Sequence, residues 1–324
     1  MEVLEINNEN LVDNLIVRTT DQSFIEANTI SLSLHEIKNN HIIPVFVKDN
    51  ETTLSQLEFI DTMYKVAKDH FNGIKLLEPN IRVSHPIKGR IPEARNKSAK
   101  ELLEHEKTLY YERLAFLIEL PEISKNINGN NLSLVIGGVK AYNEDNLYNK
   151  KGSSEHFKIF IGFQNRVCLN LCIWTDGLKA DLIATNTTDL SKAIYNLING
   201  FQAERQLEEM NQFSKLSITE RQFAQIIGKC KMYQYLSSDE RKDLPLLMFG
   251  DNHMSVIARE YYTNPAFCRD HKGNINLWNL FNLYTGANKS SYIDKFLERG
   301  LNASNFVSSI GRALISNSYS WFLE

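Results

Sequence analysis

Cysteine is scarce. Cys168, Cys172, Cys230 and Cys268 are the only four in 324 residues, too few for a disulfide framework, so each is expected as a small buried hydrophobe. An excess of either charge is missing as well: 36 Lys and Arg stand against 39 Asp and Glu, for a formal charge of -3. That balance excludes a globally basic nucleic-acid coat and leaves room only for a local patch. No apolar run approaches the roughly 20 residues that cross a bilayer. The first residues, MEVLEINNENLVDN, carry acids where a signal peptide carries bases, so a soluble, cytoplasmic protein with no membrane partner is expected.

Catalytic signatures are equally thin. No Walker-type glycine loop is present, and Gly137-Gly138 lacks the rest of a dinucleotide fingerprint. Cys268 and His271 stand three apart, half of a zinc pattern; Cys230 and His253 are the nearest further donors, but no second closely spaced pair follows. No metal and no cofactor is expected. Asp251 and His253 beside Arg259 and Glu260, and Glu112 with Glu119, have no spacing that selects a reaction.

What is present is hydrophobic patterning, with 43% hydrophobic residues, enough for one large core or two domains. Residues 157–177, FKIFIGFQNRVCLNLCIWTDG, read as two strands around a polar break at Gln164-Asn165-Arg166. In the second run Val167, Leu169, Leu171 and Ile173 alternate with Cys168, Asn170, Cys172 and Trp174, predicting aliphatics on one face and a thiol-amide-thiol-indole row on the other. Cys168 and Cys172, four apart on a strand, would lie roughly 13 Å apart and cannot chelate one ion. Asn170 is the informative member, since a buried amide must find partners.

Upstream, residues 1–29 read as a weakly ordered leader and 42–47 as an edge strand containing Pro44. Ser55 and Glu58 form a capping box for a helix ending before Gly73. Residues 82–100 are the least balanced piece: Arg82, Lys88, Arg90, Arg95, Lys97 and Lys100 face the single acid Glu93, with Pro86, Gly89 and Pro92 predicting an irregular loop. Phosphate contact is one reading of it; a solvated loop answering Glu101, Glu104 and Glu106 is the plainer one. Ser98 and Glu101 predict a short helix over 99–107, and residues 110–120 a strand ending at Pro121. The turn Asn128-Gly129, a strand over 132–136, the runs at 157–163 and 167–174, and a fifth at 178–184 make a meander. Beyond residue 186 the period becomes helical: one long amphipathic helix from 188 through Glu209, another capped by Ser217 and Glu220, and three more over 277–284, 290–297 and 303–315, separated by Gly286 and Gly300. The expected class is α+β: a mainly antiparallel sheet with flanking helices over 30–186, followed by a helical region over 187–324 packed on it.

The stretch Phe160 through Cys172 with Thr175-Asp176-Gly177 resembles domain-of-unknown-function family 3871, found on Bacteroidetes mobile elements. Ser84-His85-Pro86-Ile87-Lys88-Gly89-Arg90, Tyr111-Glu112-Arg113-Leu114, Ile136-Gly137-Gly138-Val139-Lys140-Ala141-Tyr142 and Trp278-Asn279-Leu280-Phe281-Asn282-Leu283-Tyr284-Thr285 carry the same resemblance. The Arg166-Val167-Cys168-x-Asn170 core and the Asn282-x-Tyr284-Thr285 helix are more distantly similar to the phage/plasmid-like family 932. The resemblance implies a setting on mobile elements and brings no site residues. On that context the leading expectation is a non-catalytic DNA-binding accessory using Arg82, Lys88, Arg90, Arg95 and Lys97. Tyr110 and Tyr111 would stack unpaired bases, which favours single strands. Arg166, Cys168, Asn170 and Cys172 are expected to be structural. A protein-interaction module with a host or element-encoded partner, and an enzyme with a site around Asp251 and His253, are the alternatives from other classes. The oligomeric state is left open.

Overall fold

In the computed structural model, which describes residues 23–40, 43–44, 54–94, 97–142 and 155–324, an antiparallel sheet forms the frame. Its strands are β1 (Ile30–Leu32), β2 (Ile43–Pro44), β3 (Asn80–Arg90), β4 (Lys107–Ile127), β5 (Asn130–Ala141), β6 (Glu155–Asn165), β7 (Leu171–Cys172) and β8 (Leu178–Ala184). The order is β1-β3-β4-β5-β6-β7, with β2 also on β3 and β8 also on β6. The helices are α1 (Leu34–Asn40), α2 (Gln56–His70), α3 (Thr187–Gly200), α4 (Ala203–Lys215), α5 (Glu220–Tyr233), α6 (Ser238–Arg241), α7 (Asp251–Thr263), α8 (Leu277–Asn288) and α9 (Ile293–Ser316). A two-stranded ribbon pairs β9 (Ser217–Ile218) with β10 (Ile275–Asn276). The protein is α+β, with helices making up its C-terminal region, as the periodicity predicts.

β4, β5 and β6 are the meander, and they read as nearly continuous apolar runs because both of their faces are covered. Leu114, Phe116 and Ile118 of β4 join one buried cluster, while the intervening Ala115 and Leu117 join a second with Phe296 and Leu297 of α9. The first cluster holds Phe59 of α2 and extends to Trp278, Phe281 and Phe306, so a single body of side chains crosses residue 186. Asn128 and Gly129 sit at φ 47° and 81°, the left-handed pair a two-residue hairpin needs. Ser55 accepts the Glu58 N–H while Glu58 accepts the Ser55 N–H, so the predicted capping box starts α2.

Several predicted boundaries move, each for a local reason. Residues 82–90 are not a loop: they lie in β3, and Pro86 is tolerated because Ser84 and residues 86–88 pair with β4 alone, between the short partners β1 and β2. β4 runs through Pro121 to Ile127 with a register shift between Leu120 and Ser124. The Glu101 carboxylate accepts the Ser98 N–H, yet only a turn and a one-turn 3-10 segment, Glu104–Glu106, follow. Of the edge strand predicted over 42–47, β2 pairs with Gly89 and Arg90; residues 42 and 45–47 lie outside the described residues, as does the leader up to residue 22.

The long helix predicted from 188 is two, because Phe201 is extended and Asp176 caps the second, accepting the Gln202 N–H at 3.0 Å and the Gln206 amide at 2.6 Å. The cap of α5 is Thr219 with Gln222, two residues later than predicted, since Ser217 pairs in β9. Gly300 does not end a helix; it lies buried inside the 24-residue α9, where an added Cβ would touch Asn288 and Ile173 at 3.6 Å. α1, α6 and α7 are helices that the sequence pattern does not predict.

Candidate nucleic-acid interface

The register of β3 on β4 sets out the basic stretch. Lys88 lies opposite Leu109 and Arg90 opposite Lys107, so three cations share one end of the sheet. Like charges directly opposite are unfavourable unless something neutralises them. Arg90, 5% exposed, turns inward and donates through Nη1 to the carbonyls of Ala94 and Lys97, so its guanidinium organises the following loop from within. Lys97 pairs with Glu106 and Lys107 with Glu104. Bonds from Lys97 and from the Leu103 N–H hold the Glu106 carboxyl below its ordinary range. Lys88 and Lys100 are exposed, as are Leu103 and Leu109.

Of the five predicted contact residues, Lys88 and Arg90 share the end of β3, and Arg90 bonds the Lys97 carbonyl. Arg82 stands six residues from Lys88 along β3, about 20 Å away, and donates to the Thr29 hydroxyl and carbonyl. Arg95 lies outside the described residues. Lys107 was missed because it falls in the stretch read as a helix. Tyr110 and Tyr111 correct the stacking expectation: at 1% and 6% exposed, both rings are buried.

The segment expected as the second long strand is instead a turn followed by a short strand. Val167 is 50% exposed, and Leu169 takes a left-handed φ of 58° while staying 7% exposed. The alternation holds only from Leu171: Leu171 and Ile173 enter one cluster, Cys172 and Trp174 the other. The turn exists because its amides have a target on α8. Asn165 and Asn170 donate through Nδ2 to Asn282 Oδ1, each at 3.3 Å, and Asn170 also to the Asn282 carbonyl at 3.0 Å. Asn282 in turn donates to the Trp278 carbonyl. Arg166 Nε lies 3.4 Å from Glu119, a carboxylate inside the sheet that also accepts from Ser133. Burial pushes the Cys168 thiol up to about 11 and Cys172 well above its ordinary value, so neither is a thiolate near neutrality.

The other motif residues hold elements together. Lys140 pairs with Glu155 and donates to the Leu54 carbonyl, fixing the approach to α2. Gln56 of α2 donates to the Tyr111 carbonyl, and Arg113 faces Asp294 of α9 at 3.4 Å.

Around Asp251 and His253 the geometry is a packed polar network. Asp251 accepts from Gln234. His253 Nε2 is 3.4 Å from Ser291 Oγ, but that hydroxyl donates to Asn288 Oδ1 and accepts from Arg299, and Ser291 is 2% exposed. Burial, helped by the Arg299 charge, lowers the His253 pKa to about 4. Unfolded, the ring titrates near 6.5, so the unfolded state binds the extra proton first: this contribution is intact above pH 6.5 and falls away as pH drops towards 4. Urea titrations between pH 7 and 5 should show His253→Gln losing stability less steeply than the wild type; equal slopes would mean that the histidine is not buried neutral. Among the described residues no three His, Cys, Asp or Glu side chains, those of Cys268 and His271 included, gather as metal ligands.

Sheet, buried motifs and basic sheet end define an α+β protein whose C-terminal helices complete the core of an antiparallel sheet. Among the described residues no helix is long and apolar enough to cross a membrane. The chain belongs to the family described as "Domain of unknown function, B. Theta Gene description (DUF3871)", whose model matches residues 5–323. Neither curated proteins nor solved structures give a match.

Proposed function

We infer that the protein is a DNA-binding accessory of mobile elements, acting without catalysis, and that it grips phosphates with the loop end of β3 and β4. The observation that carries this reading is the buried Arg90, which gathers the Ala94 and Lys97 carbonyls at the sheet end where Lys88 and Lys107 lie, with exposed Lys100 in the turn that follows. Phosphate affinity derives largely from counterions released by such a cluster, and a fixed loop loses less entropy on binding. Arg90 is then scaffold and the exposed lysines are contacts. With Tyr110 and Tyr111 buried, the aromatic ground for preferring single strands is gone. Leu103 and Leu109 offer unpaired bases an apolar surface in its place, and single strands remain the proposed ligand.

Fluorescence anisotropy with labelled single- and double-stranded oligonucleotides tests this. A Lys88→Ala, Lys100→Ala, Lys107→Ala variant should bind at least about tenfold more weakly near 50 mM salt, and its salt slope should shrink by about 2. Unchanged affinity and slope in the folded variant would reject this surface.

A further inference from the structure

One 3-10 turn aims two carboxylates at two lysines of the basic loop, and their surroundings differ. Glu106 is 8% exposed, pairs with Lys97 and also accepts the Leu103 N–H at 2.8 Å, so it is built into the loop. Glu104 is 91% exposed and meets Lys107, itself 47% exposed, from three residues away. An exposed pair between long side chains contributes little and opens readily. A buried carboxylate bound from two sides does not.

We propose that Glu104 is a built-in competitor for DNA phosphate at Lys107, whereas Glu106 is a fixed anchor that keeps Lys97 occupied. This rests on the DNA-binding reading of the same loop and adds its regulation. In the free protein Lys107 is neutralised by Glu104; a phosphate takes its place, and the released carboxylate then stands beside the bound strand. The loop therefore binds DNA more weakly than its lysines alone would, and a change that neutralises Glu104 strengthens binding. Lys88 and Lys100 remain the lysines that make first contact.

The test is a double-mutant cycle read by anisotropy on a single-stranded oligonucleotide. Glu104→Gln should tighten binding about three- to tenfold near 50 mM salt, and the gain should fade near 0.3 M, where charges are screened beyond about 6 Å. In a Lys107→Gln background the gain should disappear. Glu106→Gln should give no gain, since it loosens the loop. An equal gain with and without Lys107 would show general repulsion instead and overturn the proposal, as would no gain from Glu104→Gln in a protein that binds DNA. Absence of DNA binding by wild type and Glu104→Gln alike would overturn the underlying reading, and the proposal with it.

Discussion

Asn282→Leu is expected to lower the unfolding free energy by about 2 to 5 kcal/mol, since it keeps the branched shape of the side chain but removes its hydrogen bonds. Its Oδ1 receives the Asn165 and Asn170 amides, and its Nδ2 donates to the Trp278 carbonyl inside a helix with ten of its twelve residues buried. With leucine there, the Asn165 amide is left in the core without its α8 acceptor and Asn170 keeps only the backbone carbonyl. Each stranded polar group costs about 1 to 3 kcal/mol. Urea unfolding measures the loss, and Asn279→Ala serves as the comparison, because its amide makes only a 3.4 Å contact to the Cys268 carbonyl. A change below about 1 kcal/mol for Asn282→Leu would mean that the amide cluster does not hold α8 to the 165–170 turn.

Gly137→Ala should be at least as damaging. A Cβ at Gly137 would stand 2.1 Å from the Phe116 carbonyl oxygen and 2.9 Å from both Leu117 Cα and the Phe160 ring. The first two obstacles are backbone of β4, which can move only by opening the β4-β5 ladder, so a loss of about 3 kcal/mol or more is expected. Thermal unfolding followed by circular dichroism reads it; a wild-type melting temperature would show that the two strands are spaced more loosely than the geometry requires. Gly137 thus holds its place through close approach of chains.

The class of fold was legible because burial has a period. The capping box at Ser55, the Asn128-Gly129 turn and the apolar runs of β4 to β6 each express a local rule that tertiary contacts do not oppose. The failures have a common cause: the deciding partner is distant in sequence. Val167 to Asn170 alternates like a strand, but Asn282, more than a hundred residues away, draws the amides into a turn. The helix predicted through Phe201 is broken by an Asp176 carboxylate from the other side of the domain boundary read at residue 186. Pro86 reads as a breaker until β3 is seen to have an open stretch of edge there.

The candidate site was legible in charge and not in geometry. Composition picks out the stretch from Arg82 to Lys100, but only the register separates Arg82, bound to Thr29, from Lys88 and adds Lys107 from the next strand. Nothing local distinguishes Arg90, a scaffold pointing inward, from an exposed contact. The same holds for Tyr110 and Tyr111, whose aromatic character suggests stacking until their burial assigns them to the sheet. Several residues in the stretches that carry the resemblance make bonds between elements. Asn170, Lys140 and Asp176 each bond across elements, while Lys88 of the same stretches stays on the surface.

The most direct test of phosphate-led binding is the salt dependence of the wild-type protein's affinity for single- and double-stranded DNA. With Lys88, Lys100 and Lys107 engaged, the logarithm of affinity should fall against that of salt with a slope of about -2 on single strands and about -2.7 on duplex. No measurable binding by folded protein near 50 mM salt, or an affinity indifferent to salt, would contradict it.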